Sequence, residues 1–176
     1  MNNSYQEYLN FANKLADAAS VTSMQYFRTS LDIVNKSDQS PVTIADKNTE
    51  LKIRSMIEKE YPSHGILGEE FDNINSNAEF IWVIDPIDGT RSYIAGHKDF
   101  GNLISLTHNK KPIIGIINCP AHNERWVGVK DQISTYNKQP TQSSKIINIE
   151  DAYLFTSGLY FDEPNLRNAV KKINKK

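Results

Sequence analysis

Residues 80–90 read FIWVIDPIDGT, and this stretch decides how the rest of the chain is read. Phe80 to Ile84 is continuously apolar and rich in aromatic and β-branched side chains, the pattern of an interior strand covered on both faces. Asp85 and Asp88 follow at once, with Pro86 restricting one backbone torsion and Gly89 permitting a tight turn. Both carboxylates are thereby held at the mouth of a strand-to-helix junction, where they repel one another unless something positive joins them. A hard divalent cation is one answer, because Mg²⁺ takes oxygen ligands and is bound through one or two carboxylates together with water and substrate phosphate. Asp-Pro and Asp-Gly are equally ordinary turn dipeptides, so the stretch alone leaves a structural turn and a metal site both open.

Just beyond it, Gly89 to Ser92 carry free backbone N–H groups and open a short predicted helix ended by Gly96, an arrangement suited to a phosphate. Just before it, Glu69 and Glu70 in GILGEEF (65–71) supply further carboxylates. Further back, Thr43 and Asp46 form a capping box that starts a second helix, with Leu51, Ile53, Met56 and Ile57 as its apolar face and Pro62 as its stop. An acid at this third helical position is favourable without any catalytic duty. Ser4 and Glu7 make another such box, opening a long amphipathic helix that runs to about Phe27 through Leu9, Ala12, Leu15, Ala16 and Ala19. Downstream, GNLISLTH (101–108), KPIIGIINC (111–119), ERWVGVK (124–130) and ISTYN (133–137) read as strands of a largely antiparallel sheet, with turns at Asn109 and at Pro120 to Asn123. Pro164 then begins a last predicted helix through Leu166, Ala169, Val170 and Ile173.

With 176 residues, 39% hydrophobic side chains and a formal charge of −1, the chain suits one globular domain, 1–176, with no general affinity for nucleic acid. The charge is uneven: Lys171, Lys172, Lys175 and Lys176 close the chain, whereas residues 1–170 carry sixteen basic against twenty-one acidic side chains. Basic residues in a last helical turn complement the helix dipole, which accounts for this tail without a partner. No stretch has the length of a membrane span, and a lone cysteine, Cys119, forms no internal disulfide, so the cytoplasm is the expected compartment. The four histidines lack the spacing of a zinc site; His64 belongs to the turn after Pro62, and Cys119 reads as a small core residue.

Three separated motifs in a fixed order, SPVTIAD (40–46), ILGEE (66–70) and WVIDPIDGT (82–90), resemble the inositol monophosphatase-like family of Mg²⁺-dependent, lithium-sensitive phosphatases. The segments DGTRSYIAGHKDFGNLISL (88–106) and GIINCPAHNERWVGV (115–129) are most similar to its bacterial histidinol-phosphate phosphatase branch. The resemblance implies an α+β layered sandwich of the sugar-phosphatase type, its N-terminal part, with helices packed on an antiparallel-rich sheet. It further implies that Glu69 and Asp85 bind Mg²⁺ beside the backbone carbonyl of Ile87, that Asp88 serves a second ion, and that Asp46 and Thr90 flank the attacking water. Gly89 and Thr90 then receive the substrate phosphate. Such roles are chemically coherent, since a cation activates water and a hydroxyl paired with a carboxylate orients it and takes its proton.

The implied activity is hydrolysis of a small phosphate monoester, histidinol phosphate first, with inositol phosphate or a related compound as the alternative enzyme reading. Family members continue past the helix ending near Lys172, and a later loop in them supplies another metal-binding aspartate, so this chain is expected to be truncated at its C-terminus. A shortened active phosphatase, an inactive remnant that still binds metal or phosphate, and an N-terminal fragment are all compatible with the sequence. Loss of sheet-covering structure also predicts association between copies of the chain.

Overall fold

The computed structural model describes residues 5–30, 33–35 and 41–153. The chain divides into two compact units, Met1–Gln142 and Ser143–Lys176. In the second, the described part contains one 3-10 turn, Ile149–Asp151, with Ile147 and Ile149 exposed. The helix expected from Pro164 to Ile173 lies outside the described residues, as does Ser4 of the first capping box.

The first unit opens with α1 (Gln6–Tyr26), whose small and apolar positions Phe11, Ala12, Leu15, Ala16 and Ala19 are buried on one side, as their spacing predicts. Alanines there let the helix lie close on a flat surface. A short antiparallel pair, β1 (Ile33–Asn35) and β2 (Pro41–Thr43), delivers the chain to α2 (Ile44–Glu60). The predicted capping box is present at its start, with Thr43 as N-cap and Asp46 as its reciprocal acid. The inward face of α2 differs from the expected one. Leu51 is exposed, and the buried stripe is Asp46, Thr49, Glu50, Ile53, Arg54 and Ile57, a regular i, i+3, i+4, i+7 series with a polar half nearest the N-terminus.

The main sheet has the order β3-β4-β5-β6-β7-β8-β9, with β3 (Gly65–Leu67) parallel to β4 (Phe80–Asp88) and every later pair antiparallel. β5 (Gly101–His108) and β6 (Lys111–Cys119) have the predicted bounds and are joined through Asn109 and Lys110, both at positive φ, the mirror-image turn that matches strand twist. β7 (Glu124–Val129) continues the meander, while β8 (Thr135–Tyr136) and β9 (Gln139–Pro140) are two residues each. Trp82, Ile84, Ile104, Leu106, Ile114 and Ile116 point to one face and pack against α1 and α2, which makes this the core.

β4 is flanked by strands on both sides, but its faces are not equally covered. Trp82 is fully buried against the helices, whereas Val83 on the opposite face is exposed, as is Ile117 two strands along on β6. The expectation of burial on both faces therefore holds for only one: Val83, Leu103, Ser105, Ile117 and Trp126 line an open groove of about 860 Å³. The strand also runs on through the aspartates instead of ending at Ile84. Asp85 pairs with Leu103 and Asp88 with Gly101, so three steps on β4 match two on β5. That bulge places both aspartates on the side shared by Leu103 and Gly101, where a regular strand would send them to opposite faces.

Candidate active site

The site gathers where the C-terminal end of β4, the N-terminus of α2 and the loop after β3 meet. At the centre is Asp85, whose Oδ1 is buried and has no hydrogen-bond partner among the described residues. Burial, the charge of Glu69 and a hydrogen bond shared with it, and the charge of Asp88 push the Asp85 carboxyl up to about 7. A carboxyl in that state is short of a positive charge, and an orphaned buried oxygen is the kind of feature that a bound cation explains.

On the α2 side, Asp46 is buried and divides its two oxygens between two tasks. Oδ2 accepts from the Thr43 backbone N–H at 2.8 Å and from the Thr43 hydroxyl at 2.6 Å, completing the cap. Oδ1 lies 3.4 Å from the Thr90 hydroxyl, which is also 3.0 Å from the Ile87 carbonyl oxygen. A hydroxyl has one proton for these two acceptors. Thr90, Asp46 and the Ile87 carbonyl are thus brought together although they are 44 and 3 residues apart from Thr90 in sequence.

The backbone between them is held firmly. The Ile87 side chain packs with Ala45, Tyr93 and Phe100 in a second small core, so its carbonyl, not its side chain, serves the site. Asn102, fully buried on β5, donates to the Pro86 carbonyl at 2.7 Å. Gly89 adopts φ +86°, and a Cβ there would lie 2.9 Å from the Asp99 carbonyl oxygen. Glycine is therefore needed for the chain to turn into α3 (Thr90–Ile94), as the sequence suggests. Tyr93 anchors that short helix by donating to the Ser23 carbonyl of α1 at 2.6 Å.

On the β3 side, sequence reasoning found Glu69 and Glu70 but missed what holds them. Both backbone N–H groups donate to Oε2 of Glu50, at 3.0 and 2.8 Å. Glu50 Oε1 in turn accepts from Arg54 Nε at 2.7 Å, and Arg54 donates to the Phe71 and Asp72 carbonyls at 3.0 Å each. The only sequence signal was an acid and a base four residues apart, which ordinarily marks a solvated helix face.

Of the predicted residues, Glu69, Asp85 and Asp88 share one electrostatic environment, Asp46, Thr90 and Ile87 share one hydrogen-bonded corner, and Gly89 joins the two. Among the described residues, no three His, Cys, Asp or Glu side chains converge tightly enough to enclose an ion unaided. His64 is distant from this chemistry: it is buried in an aromatic cluster, and its Nδ1 accepts from Trp82 Nε1 at 3.2 Å. Cys119 is half-buried at the end of β6.

Comparison with known proteins bears on the whole arrangement. The model of the inositol monophosphatase family matches residues 4–176. A bifunctional phosphatase IMPL2, chloroplastic, of Arabidopsis thaliana is 39% identical over 166 residues, covering 93% of this chain and 48% of that protein. A histidinol-phosphatase of Chlorobaculum parvum is 37% identical over 167 residues, covering 94% and 64%. Among solved structures, an inositol monophosphatase from Zymomonas mobilis superposes with a TM-score of 0.83 at 38% identity, covering 98% of this chain and 66% of that one. The chain thus spans about half to two thirds of the length of these relatives. Motif order, sheet topology and sequence similarity over nearly all its length agree that this chain belongs to the inositol monophosphatase family.

Proposed function

We propose that this chain hydrolyses a small phosphate monoester with Mg²⁺, and that histidinol phosphate is its substrate. The observation that carries the reaction class is a buried Asp85 oxygen without a hydrogen-bond partner among the described residues, beside Glu69, on the same strand end as the Ile87 carbonyl that the Asp46–Thr90 corner shares. The donor set fits a hard cation: Asp85 and Glu69 would hold it with the Ile87 carbonyl, and Asp88 lies beside them for a second ion. Mg²⁺ bound there would polarise the phosphoryl oxygens and neutralise charge as it develops.

The remaining steps belong to the protein. Gly89 and Thr90 present the first backbone N–H groups of α3 to the phosphate, and Thr90 orients a water for attack. As the new P–O bond forms and the bond to the substrate oxygen breaks, Asp46 Oδ1 takes the water's proton through the Thr90 hydroxyl, and the leaving alkoxide is protonated from solvent. Choice of substrate rests on the likeness of segments 88–106 and 115–129 to the histidinol-phosphate phosphatase branch and on histidinol-phosphatases of Chlorobaculum parvum and Streptomyces coelicolor, 37% and 33% identical. The Zymomonas mobilis inositol monophosphatase, at 38%, keeps inositol phosphate as the alternative. Exposure of Val83 and Ile117 on the open sheet face supports self-association as part of this reading.

The test is phosphate release from histidinol phosphate and from inositol monophosphate by the 176-residue chain, with and without Mg²⁺ and beside Asp85→Asn. Mg²⁺-dependent release that the variant abolishes, faster with histidinol phosphate, is the expected result. A folded chain that binds Mg²⁺ yet releases nothing would make it a binding remnant, and faster release from inositol monophosphate would reverse the substrate order. Sedimentation as a monomer at all concentrations would remove self-association.

A further inference from the structure

We infer that Glu50 is a positioning residue for the metal loop, setting cation affinity through Glu69 without touching cation or substrate; the inference rests on the metal reading above. Its carboxylate is completely buried, an unusual place for an acid, and both oxygens are spent. One oxygen faces Arg54, itself buried, and the other collects the two successive N–H groups of Glu69 and Glu70. Arg54 closes the circuit by donating to the Phe71 and Asp72 carbonyls, and its guanidinium lies over the Phe71 ring at 5.8 Å. Four consecutive residues, 69 to 72, are therefore fixed through their backbone by two side chains of α2.

The neighbouring backbone is shaped to admit this brace. A Cβ at residue 68 would fall 1.9 Å from Glu50 Oε1 and 2.6 Å from an Arg54 nitrogen, so Gly68 leaves the space the pair occupies. Glu50 also lies one turn beyond Asp46 on the same buried stripe of α2. One rigid helix thus fixes the Asp46–Thr90 corner with its first turn and the Glu69 loop with its second. Their separation across Asp85 is set by helix geometry and not by a loop. The two amides that this carboxylate satisfies are those of Glu69 and Glu70, so the brace bears directly on the backbone that carries Glu69.

Glu50→Gln keeps the shape, but its amide nitrogen must face either Arg54 Nε–H or the loop N–H groups, a donor against a donor in each orientation. Glu50→Leu combined with Arg54→Met removes both charges, an exchange that cores accept, and leaves the loop amides to water. Mn²⁺ is the probe: its binding to the chain is followed by electron paramagnetic resonance, and exchange of the Glu69 and Glu70 amides by NMR. Both variants should weaken Mn²⁺ binding by about 10–100-fold, as loss of a ligand's supporting contact does, and both amides should lose protection while those of β5 keep it. Asp46→Asn, on the same helix face, should keep the Mn²⁺ affinity of the parent chain. Unchanged Mn²⁺ affinity in the folded double variant would overturn the inference and leave the metal reading standing. Failure of the parent chain to bind Mn²⁺ would overturn the metal reading and this inference with it.

Discussion

At Asp46 a structural task and the proposed chemical one share one side chain, and the two can be separated because each uses its own oxygen. Thr43→Ala removes one of the two partners of Oδ2, the hydroxyl, and the cap acceptor for the Ala45 N–H, so it should cost about 0.5–2 kcal/mol in urea denaturation with little loss of turnover per folded molecule. Asp46→Asn can keep its oxygen on the cap by turning its amide nitrogen to Thr90, so the fold should survive while phosphate release falls. The reverse pattern, a stable and active Asp46→Asn, would restrict Asp46 to capping. His64 offers a second residue-level test. Burial holds its imidazole below the ordinary 6.5, against a smaller pull upward from Glu79, and Nδ1 is the acceptor for Trp82. Protonation in the folded state must break that bond. With a folded pKa below the unfolded one, the stabilisation is intact above about pH 6.5 and is lost as pH falls through the lower value. His64→Gln should flatten the part of the stability curve below pH 6.5, measured by urea titration at several pH values.

Elements were legible where one periodicity accounts for every residue, and illegible where the burial of polar groups breaks it. β5 and β6 alternate cleanly and end at the predicted residues, and the Thr43 box marks the start of α2. The inner face of α2 was misread because apolar positions alone were followed. Leu51 faces water, while Glu50 and Arg54 are inside, satisfied by backbone groups that lie 17 to 20 residues away. No local pattern encodes such partners. The bulge in β4 is hidden for the same reason, since it is defined by register against β5 and only the tendency of Pro86 and Gly89 to interrupt a ladder hints at it. Gly89, by contrast, is legible as a residue that permits a tight turn, and its positive φ beside the Asp99 carbonyl makes glycine necessary there. Gly89→Ala should cost about 1–3 kcal/mol, the range for a non-glycine residue held in the left-handed region, and more if the Asp99 carbonyl cannot yield. Urea denaturation of the variant checks the figure, and wild-type stability would mean that the turn can be remade without positive φ.

For the whole molecule, the site is a place where folding works against itself as long as no positive charge joins the carboxylates. Closing the sheet over β4 carries Asp85 out of water toward Glu69 and Asp88, which raises the energy of the folded chain and leaves the unfolded one untouched. Whatever binds only the folded chain lowers that energy by mass action, by about 2.7 kcal/mol at a concentration one hundred times the dissociation constant. For a domain of this size that is a rise of roughly 5–10 °C in melting temperature. Asp85→Asn removes one charge, and its amide can donate to Glu69 with no acid proton required. Without divalent ions the variant should therefore melt higher than the parent chain, and added Mg²⁺ should raise the melting temperature of the parent alone. Calorimetric melting of both chains with EDTA and with Mg²⁺ separates the two accounts of the motif. If Asp85 only shapes a turn, its replacement lowers the melting temperature in both solutions and leaves the response to Mg²⁺ intact; if it is there for a cation, stability and Mg²⁺ response move in opposite directions in a single substitution.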